Sequence, residues 1–112
     1  MINLLVDEAY AFDYLSILQV KKEIDNKNEK AWKNCRDYLN IQLQDKFEEI
    51  INSTEYSELL LCNKLTFDAV EKARYGSITA KEVDECNMQR YHKKVSLQAK
   101  FFPKTSVIDR KT

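Results

Sequence analysis

The fold is decided by residues 73–83, which read ARYGSITAKEV and carry the signals that end one helix and begin the next. Gly76 can adopt the left-handed backbone conformation that closes a helix C-terminus. Thr79 is a favourable N-cap residue, and Glu82 stands at the position that completes a capping box. Ile78 and Val83 have the spacing of a hydrophobic staple around this cap. The stretch therefore predicts two helices joined by a short turn, as in antiparallel neighbours.

Toward the C-terminus, the fourth predicted helix runs from about Ala80 to Phe102. Pro103 ends it, because the residue before a proline is unfavourable in a helix. Residues 104–112 have no periodic pattern and are predicted to be a mobile C-terminal tail. Residues 1–103 are predicted to form a single helical domain, because 112 residues are too few for two domains.

Toward the N-terminus, three more helices are predicted. The first runs from about Leu4 to Ile24, although residues 2–6 also fit a short strand. The second follows the polar linker 25–28, in which Asn28 can act as a cap. Its apolar stripe has helical spacing and consists of Trp32, Cys35, Leu39, Leu43, Phe47 and Ile50.

The third predicted helix is capped by Ser53 or Thr54 and continues to the turn at Gly76. One broad face of this helix is apolar and carries Tyr56, Leu59, Leu60, Phe67, Val70 and Ala73. Asn63 lies in the middle of that face, and its amide needs hydrogen-bond partners if it is buried.

The composition predicts an all-α fold. A chain with 44% hydrophobic and 32% charged residues is typical of a globular domain, and one glycine and one proline provide too few turns for a β fold. We therefore expect an antiparallel bundle of about four long helices in an up-down-up-down order. The alternative is a three-helix core whose first helix is exchanged with a partner chain.

The fourth predicted helix has two apolar stripes, whereas a bundle requires only one. We expect the first stripe, which consists of Met88, Tyr91, Val95 and Phe102, to face the core. We expect the second stripe, in which two cations interrupt the apolar series, to bind a partner through Val83, Cys86, Arg90, Lys94, Leu97 and Phe101. The second stripe also fits a helix that is buried on two sides. The first predicted helix is likewise apolar over a wide arc.

The charges are separated along the chain. The net charge is zero, yet residues 88–112 carry +6 and residues 1–87 carry −6. Cations and aromatic residues alternate in the basic segment, a pattern that suits phosphates and stacked bases. A hypothesis of nucleic-acid binding assigns phosphate contacts to Arg90, Lys93, Lys94, Lys100 and Lys104. The isoelectric point of 6.6 argues against it and favours docking of the basic segment on the acidic one, in the same chain or in another.

The sequence provides little for catalysis or metal binding. His92 is the only histidine, and one glycine excludes phosphate-binding loops. We therefore predict no catalytic residue, no metal ligand and no cofactor, although an enzyme that uses His92 with a carboxylate stays open. Three dispersed cysteines and the lack of a leader or membrane segment indicate a cytoplasmic protein.

These observations predict a non-enzymatic module for protein interaction or self-association that uses the first and fourth predicted helices. The predicted partner is a second copy of the chain or another protein, and no membrane is expected. The alternative function is a nucleic-acid-binding or regulatory bundle that uses the basic C-terminal helix.

Overall fold

A computed structural model describes residues 5–104 of the chain. These residues form five α-helices without a strand, so the predicted all-α bundle is confirmed. The helices and one short 3₁₀ helix (Asn26–Asn28) follow in this order: α1 Glu8–Ile24, α2 Glu29–Leu43, α3 Asp45–Ile51, α4 Thr54–Arg74 and α5 Ala80–Phe101. No helix within residues 5–104 is both long and apolar enough to cross a membrane.

The helix termini follow the local signals of the sequence. Asp7, Ser53 and Thr79 are N-caps whose side chains accept hydrogen bonds from backbone N–H groups within α1, α4 and α5. The capping box between Thr79 and Glu82 is present in both directions. Gly76 has φ +77°, the left-handed conformation that was predicted for it. Each cap satisfies an N–H group that has no acceptor within its own helix.

Three details of the prediction are wrong. The second predicted helix is two helices, because Gln44, with φ 52° and ψ −125°, interrupts it between α2 and α3. Asn28 makes no side-chain cap and donates its amide to the carbonyl oxygens of Lys21 and Asp25. Helix α1 begins at Glu8 rather than near Leu4, and residues 5–7 are not a strand. The predicted C-terminal tail begins at residue 104, and its residues 105–112 lie outside the described part of the chain.

The order of contacts gives the helix directions. Phe12 of α1 packs on Tyr56 of α4, and farther along both helices Ser16 meets Asn63, so α1 and α4 run in the same direction. Gln98 of α5 lies at the start of α1, whereas Arg90 contacts Asp13 farther along, so α5 runs in the opposite direction. The up-down-up-down order follows, with α1 packed against α2, α4 and α5.

The core lies where all five α-helices meet. The ring of Phe12 stacks on Phe47 and meets Tyr56 edge-on, each at 6.1 Å between centroids. Each of the five α-helices contributes an aliphatic side chain that packs around these rings: Leu15, Leu39, Ile50, Leu59 and Leu97. This central position explains why α1 is apolar over a wide arc, since neighbours cover it on several sides.

The orientation of α5 differs from the prediction. Leu97 and Phe101, which were assigned to a partner-binding stripe, are buried in the core. Val95, which was assigned to the core, keeps 38% of its surface exposed, and Met88, Tyr91 and Phe102 are only half-buried. The stripe that Arg90 and Lys94 interrupt therefore faces inward. This is possible because other parts of the chain supply polar partners for these two cations.

Candidate functional site at the contact of α1 and α5

A buried carboxylate anchors α1 to the two helices beside it. Asp13 is 3% exposed and accepts two hydrogen bonds from the Arg90 guanidinium, with Nε–Oδ1 at 3.0 Å and Nη2–Oδ2 at 2.6 Å. Asn63 of α4 donates its amide to the same carboxylate at 2.9 Å and to the hydroxyl of Ser16. The paired geometry of guanidinium and carboxylate fixes both distance and direction, so it sets how α1 lies against α5.

A second polar contact joins the start of α1 to the end of α5. The buried Gln98 side chain accepts a hydrogen bond from the backbone N–H of Ala9 at 2.8 Å and donates one to the carboxylate of Glu8 at 2.9 Å. The N–H of Ala9 belongs to the first turn of α1, where no helical carbonyl is available. Gln98 therefore acts as a cap from another helix and holds the α1 N-terminus in place.

Three exposed side chains and one half-buried side chain, that of Tyr91, flank these contacts. Tyr10 and Tyr14 of α1, which are 45% and 52% exposed, lie on the flank of α1 next to Asp13 by helical spacing. Tyr91 and Val95 stand seven and three positions before Gln98, on the flank of α5 that lies beside α1. We call these four residues the α1/α5 face.

The predicted partner-binding residues have other contacts. Lys94, Leu97 and Phe101 are buried within the chain, and Arg90 pairs with Asp13. The remaining two, Val83 and Cys86, are half-buried. Half of the stripe is therefore buried within the chain, and the other half keeps part of its surface exposed.

Most of the predicted phosphate-binding cations are occupied by carboxylates of the same chain. Lys93 pairs with Glu58 at 2.8 Å, and Lys100 pairs with Glu55 at 3.0 Å. The hydrogen bond from Lys100 lowers the pKa of Glu55, and the hydrogen bond to Glu58 raises the pKa of Lys93. Lys94 is buried, whereas Lys104 is exposed. Two lysines of α5 therefore pair with glutamates near the start of α4 within one chain.

The histidine and thiol groups make none of the buried hydrogen bonds described above. His92 is exposed and meets the ring of Tyr91 edge-on at 5.8 Å between centroids. Burial raises the pKa of the Cys35 and Cys62 thiols, which favours the neutral, less nucleophilic form. Within residues 5–104, no group of three or more His, Cys, Asp or Glu side chains could hold a metal ion.

Sequence reasoning missed the roles of Asp13, Ser16 and Gln98. A signal for Asp13 was present, because it shares a helical arc with Ala9, Ser16 and Val20, which are buried. The matching signal on α5 was the presence of two cations, Arg90 and Lys94, within an apolar stripe. Gln98 had no comparable signal, because a glutamine beside Leu97 fits a helix surface equally well.

Comparisons of this chain with models of protein families, with curated proteins and with solved structures find no match.

Proposed function

We propose that this protein is an interaction module that associates with a second copy of itself through the α1/α5 face. The observation that supports the proposal is the exposure of Tyr10, Tyr14 and Val95 beside a contact that buried hydrogen bonds hold in place. Tyrosine is enriched in protein interfaces because its ring buries much apolar area while the hydroxyl keeps a polar partner. A face on fixed helices also loses little entropy on binding.

The charge of the chain is compatible with self-association. The net charge is zero, so two copies do not repel each other at long range. Three polar groups beside the face, Asp13, Arg90 and Gln98, already make hydrogen bonds within the chain. In a two-fold symmetric dimer, the same four residues of both copies would meet.

The test is the molar mass in solution, measured by size-exclusion chromatography with light scattering over a series of protein concentrations. We expect the wild type to dimerise and Tyr14→Glu to remain a monomer, because a carboxylate would be desolvated in the interface. Tyr75→Glu is the matched control, since Tyr75 is an exposed tyrosine in the turn before α5. A wild-type monomer at every concentration, or equal loss of the dimer in the control, would contradict the proposal.

The alternative, a nucleic-acid-binding bundle, has less support. Glu55, Glu58 and Asp13 already neutralise three of the five cations on which it depends, and a fourth is buried. Phosphate contacts would have to compete with these carboxylates for the same cations.

A further inference from the structure

A half-open pocket of about 140 Å³ lies between α1, α4 and α5. The residues that line it are Ile17 and Val20 of α1, Asn63, Thr66 and Phe67 of α4, and Arg90 of α5. An apolar protein cavity of about 150 Å³ is large enough for benzene. The space therefore suits one aromatic ring with a small substituent.

The side-chain amide of Asn63 is fixed in one orientation by its neighbours on α1. Its nitrogen donates one hydrogen bond to the carboxylate of Asp13 at 2.9 Å and one to the hydroxyl of Ser16. These two bonds use both hydrogen atoms of the amide nitrogen. The reverse orientation would place the amide oxygen against a carboxylate, which accepts hydrogen bonds and donates none. The oxygen Oδ1 of Asn63 therefore points away from Asp13.

This oxygen is an acceptor that receives no hydrogen bond from the described part of the chain. Within residues 5–104, the hydroxyl of Tyr56 is the only fully enclosed side-chain polar atom that lacks a partner, so Oδ1 of Asn63 keeps some accessible surface. Asn63 is only 5% exposed and lines the pocket, so that surface faces the pocket. The pocket therefore presents a hydrogen-bond acceptor beside its apolar walls.

The rest of the lining favours a neutral aromatic compound. Ile17 and Val20 form an aliphatic wall, and the ring of Phe67, which is 38% exposed, can stack on the ring of a ligand. The guanidinium of Arg90 is already neutralised by Asp13, to which it donates two hydrogen bonds. An anion in the pocket would be repelled by the amide oxygen and by this carboxylate. A hydroxyl group can donate to the amide oxygen without bringing a charge into the pocket.

We propose that this pocket is a binding site for a small neutral phenol. The aromatic ring packs against Ile17, Val20 and Phe67, and the hydroxyl donates a hydrogen bond to Oδ1 of Asn63. The pocket contains none of the four residues of the α1/α5 face, so the site can be tested apart from self-association.

Phenol, toluene and anisole test this site, because the three compounds share one ring and only phenol carries a hydrogen-bond donor. The side-chain amide resonances of Asn63 and the backbone resonances of Thr66 and Phe67 in a ¹H–¹⁵N spectrum report occupancy. We expect phenol to bind about tenfold more tightly than the other two, because their methyl groups would cover the amide oxygen without a hydrogen bond. Benzoate, an anion of similar size, should bind more weakly than phenol.

The variant Ile17→Trp places a larger side chain in the wall of the pocket and fills part of its space. We expect it to weaken phenol binding by about tenfold or more, because the aromatic ring no longer fits. Ile24→Trp is the matched control, since Ile24 is an exposed isoleucine at the end of the same helix, and it should leave phenol binding unchanged. The comparison of the ligands uses the wild type alone, so it does not depend on the folding of a variant.

Three kinds of result would overturn the proposal. If phenol shifts none of these resonances, or binds equally to the wild type and to a folded Ile17→Trp variant, the pocket is not its site. If toluene or anisole binds as tightly as phenol, the oxygen of Asn63 does not recognise the ligand. If benzoate binds most tightly, the site selects an anion rather than a neutral donor.

Discussion

At Asp13, a carboxylate that is almost fully buried accepts hydrogen bonds from Arg90 and Asn63, which belong to two other helices. Removing a charge from water is costly, and the cost is offset only when well-placed donors surround it. Arg90 supplies two of these donors and the compensating charge. The pair is therefore more important for stability than the exposed ion pairs, whose charges remain hydrated.

We expect Arg90→Met to lower the free energy of unfolding by about 3 kcal/mol, because Asp13 would stay buried without its counter-ion. Urea denaturation followed by circular dichroism measures this change. Arg74→Met is the control, since Arg74 pairs with Glu71 on the surface, and its effect should be below about 1 kcal/mol. Equal losses in the two variants would show that the Asp13 pair behaves as a surface pair.

At the scale of the elements, the break between α2 and α3 is the least expected feature. Gln44 has positive φ, a conformation that is unfavourable for a residue with a Cβ atom. The break lets α3 turn so that Phe47 and Ile50 enter the core. The packing of these two side chains compensates for the strain at Gln44.

We expect Gln44→Gly to raise the free energy of unfolding by about 1 kcal/mol, because relief of the strain exceeds the entropy cost of glycine. Thermal denaturation is the measurement. Gln89→Gly is the matched control: Gln89 is an exposed glutamine within α5, and glycine there should be destabilising by about 1 kcal/mol. A loss of stability in both variants would mean that Gln44 is not strained.

On the scale of the whole molecule, the separated charges serve to dock α5. Lys93 and Lys100 bind carboxylates of α4, and Arg90 binds a carboxylate of α1. The positive C-terminal segment and the negative remainder thus meet within one chain. Because these pairs join neighbouring helices, they select how α5 is oriented as well as contributing some stability.

We expect the wild type to bind mixed-sequence single-stranded DNA weakly, and Glu55→Gln/Glu58→Gln to bind it more tightly at low salt because Lys93 and Lys100 are released. Two new phosphate contacts would steepen the salt dependence by about 1.4 logarithmic units per decade of salt. Fluorescence anisotropy of labelled DNA is the measurement.

The control for this experiment is Asp68→Gln/Glu71→Gln, which changes the net charge equally but releases Lys72 and Arg74 at the end of α4. It should bind DNA less tightly than the Glu55→Gln/Glu58→Gln variant. Tight binding by the wild type at physiological salt would instead support the nucleic-acid hypothesis.

The amino-acid sequence by itself determined the helical architecture and most helix ends. The caps at Ser53 and Thr79 and the turn at Gly76 were predictable because their hydrogen bonds and dihedral angles involve residues within a few positions. The tertiary structure decided which stripe of α5 is buried and where the second predicted helix breaks. Arg90 and Asp13 are 77 positions apart, and a cation is stable in an interior only when a counter-ion is well placed, which here comes from a distant residue. Helical periodicity shows which residues share a stripe, but a partner elsewhere in the chain decides whether that stripe meets protein or solvent.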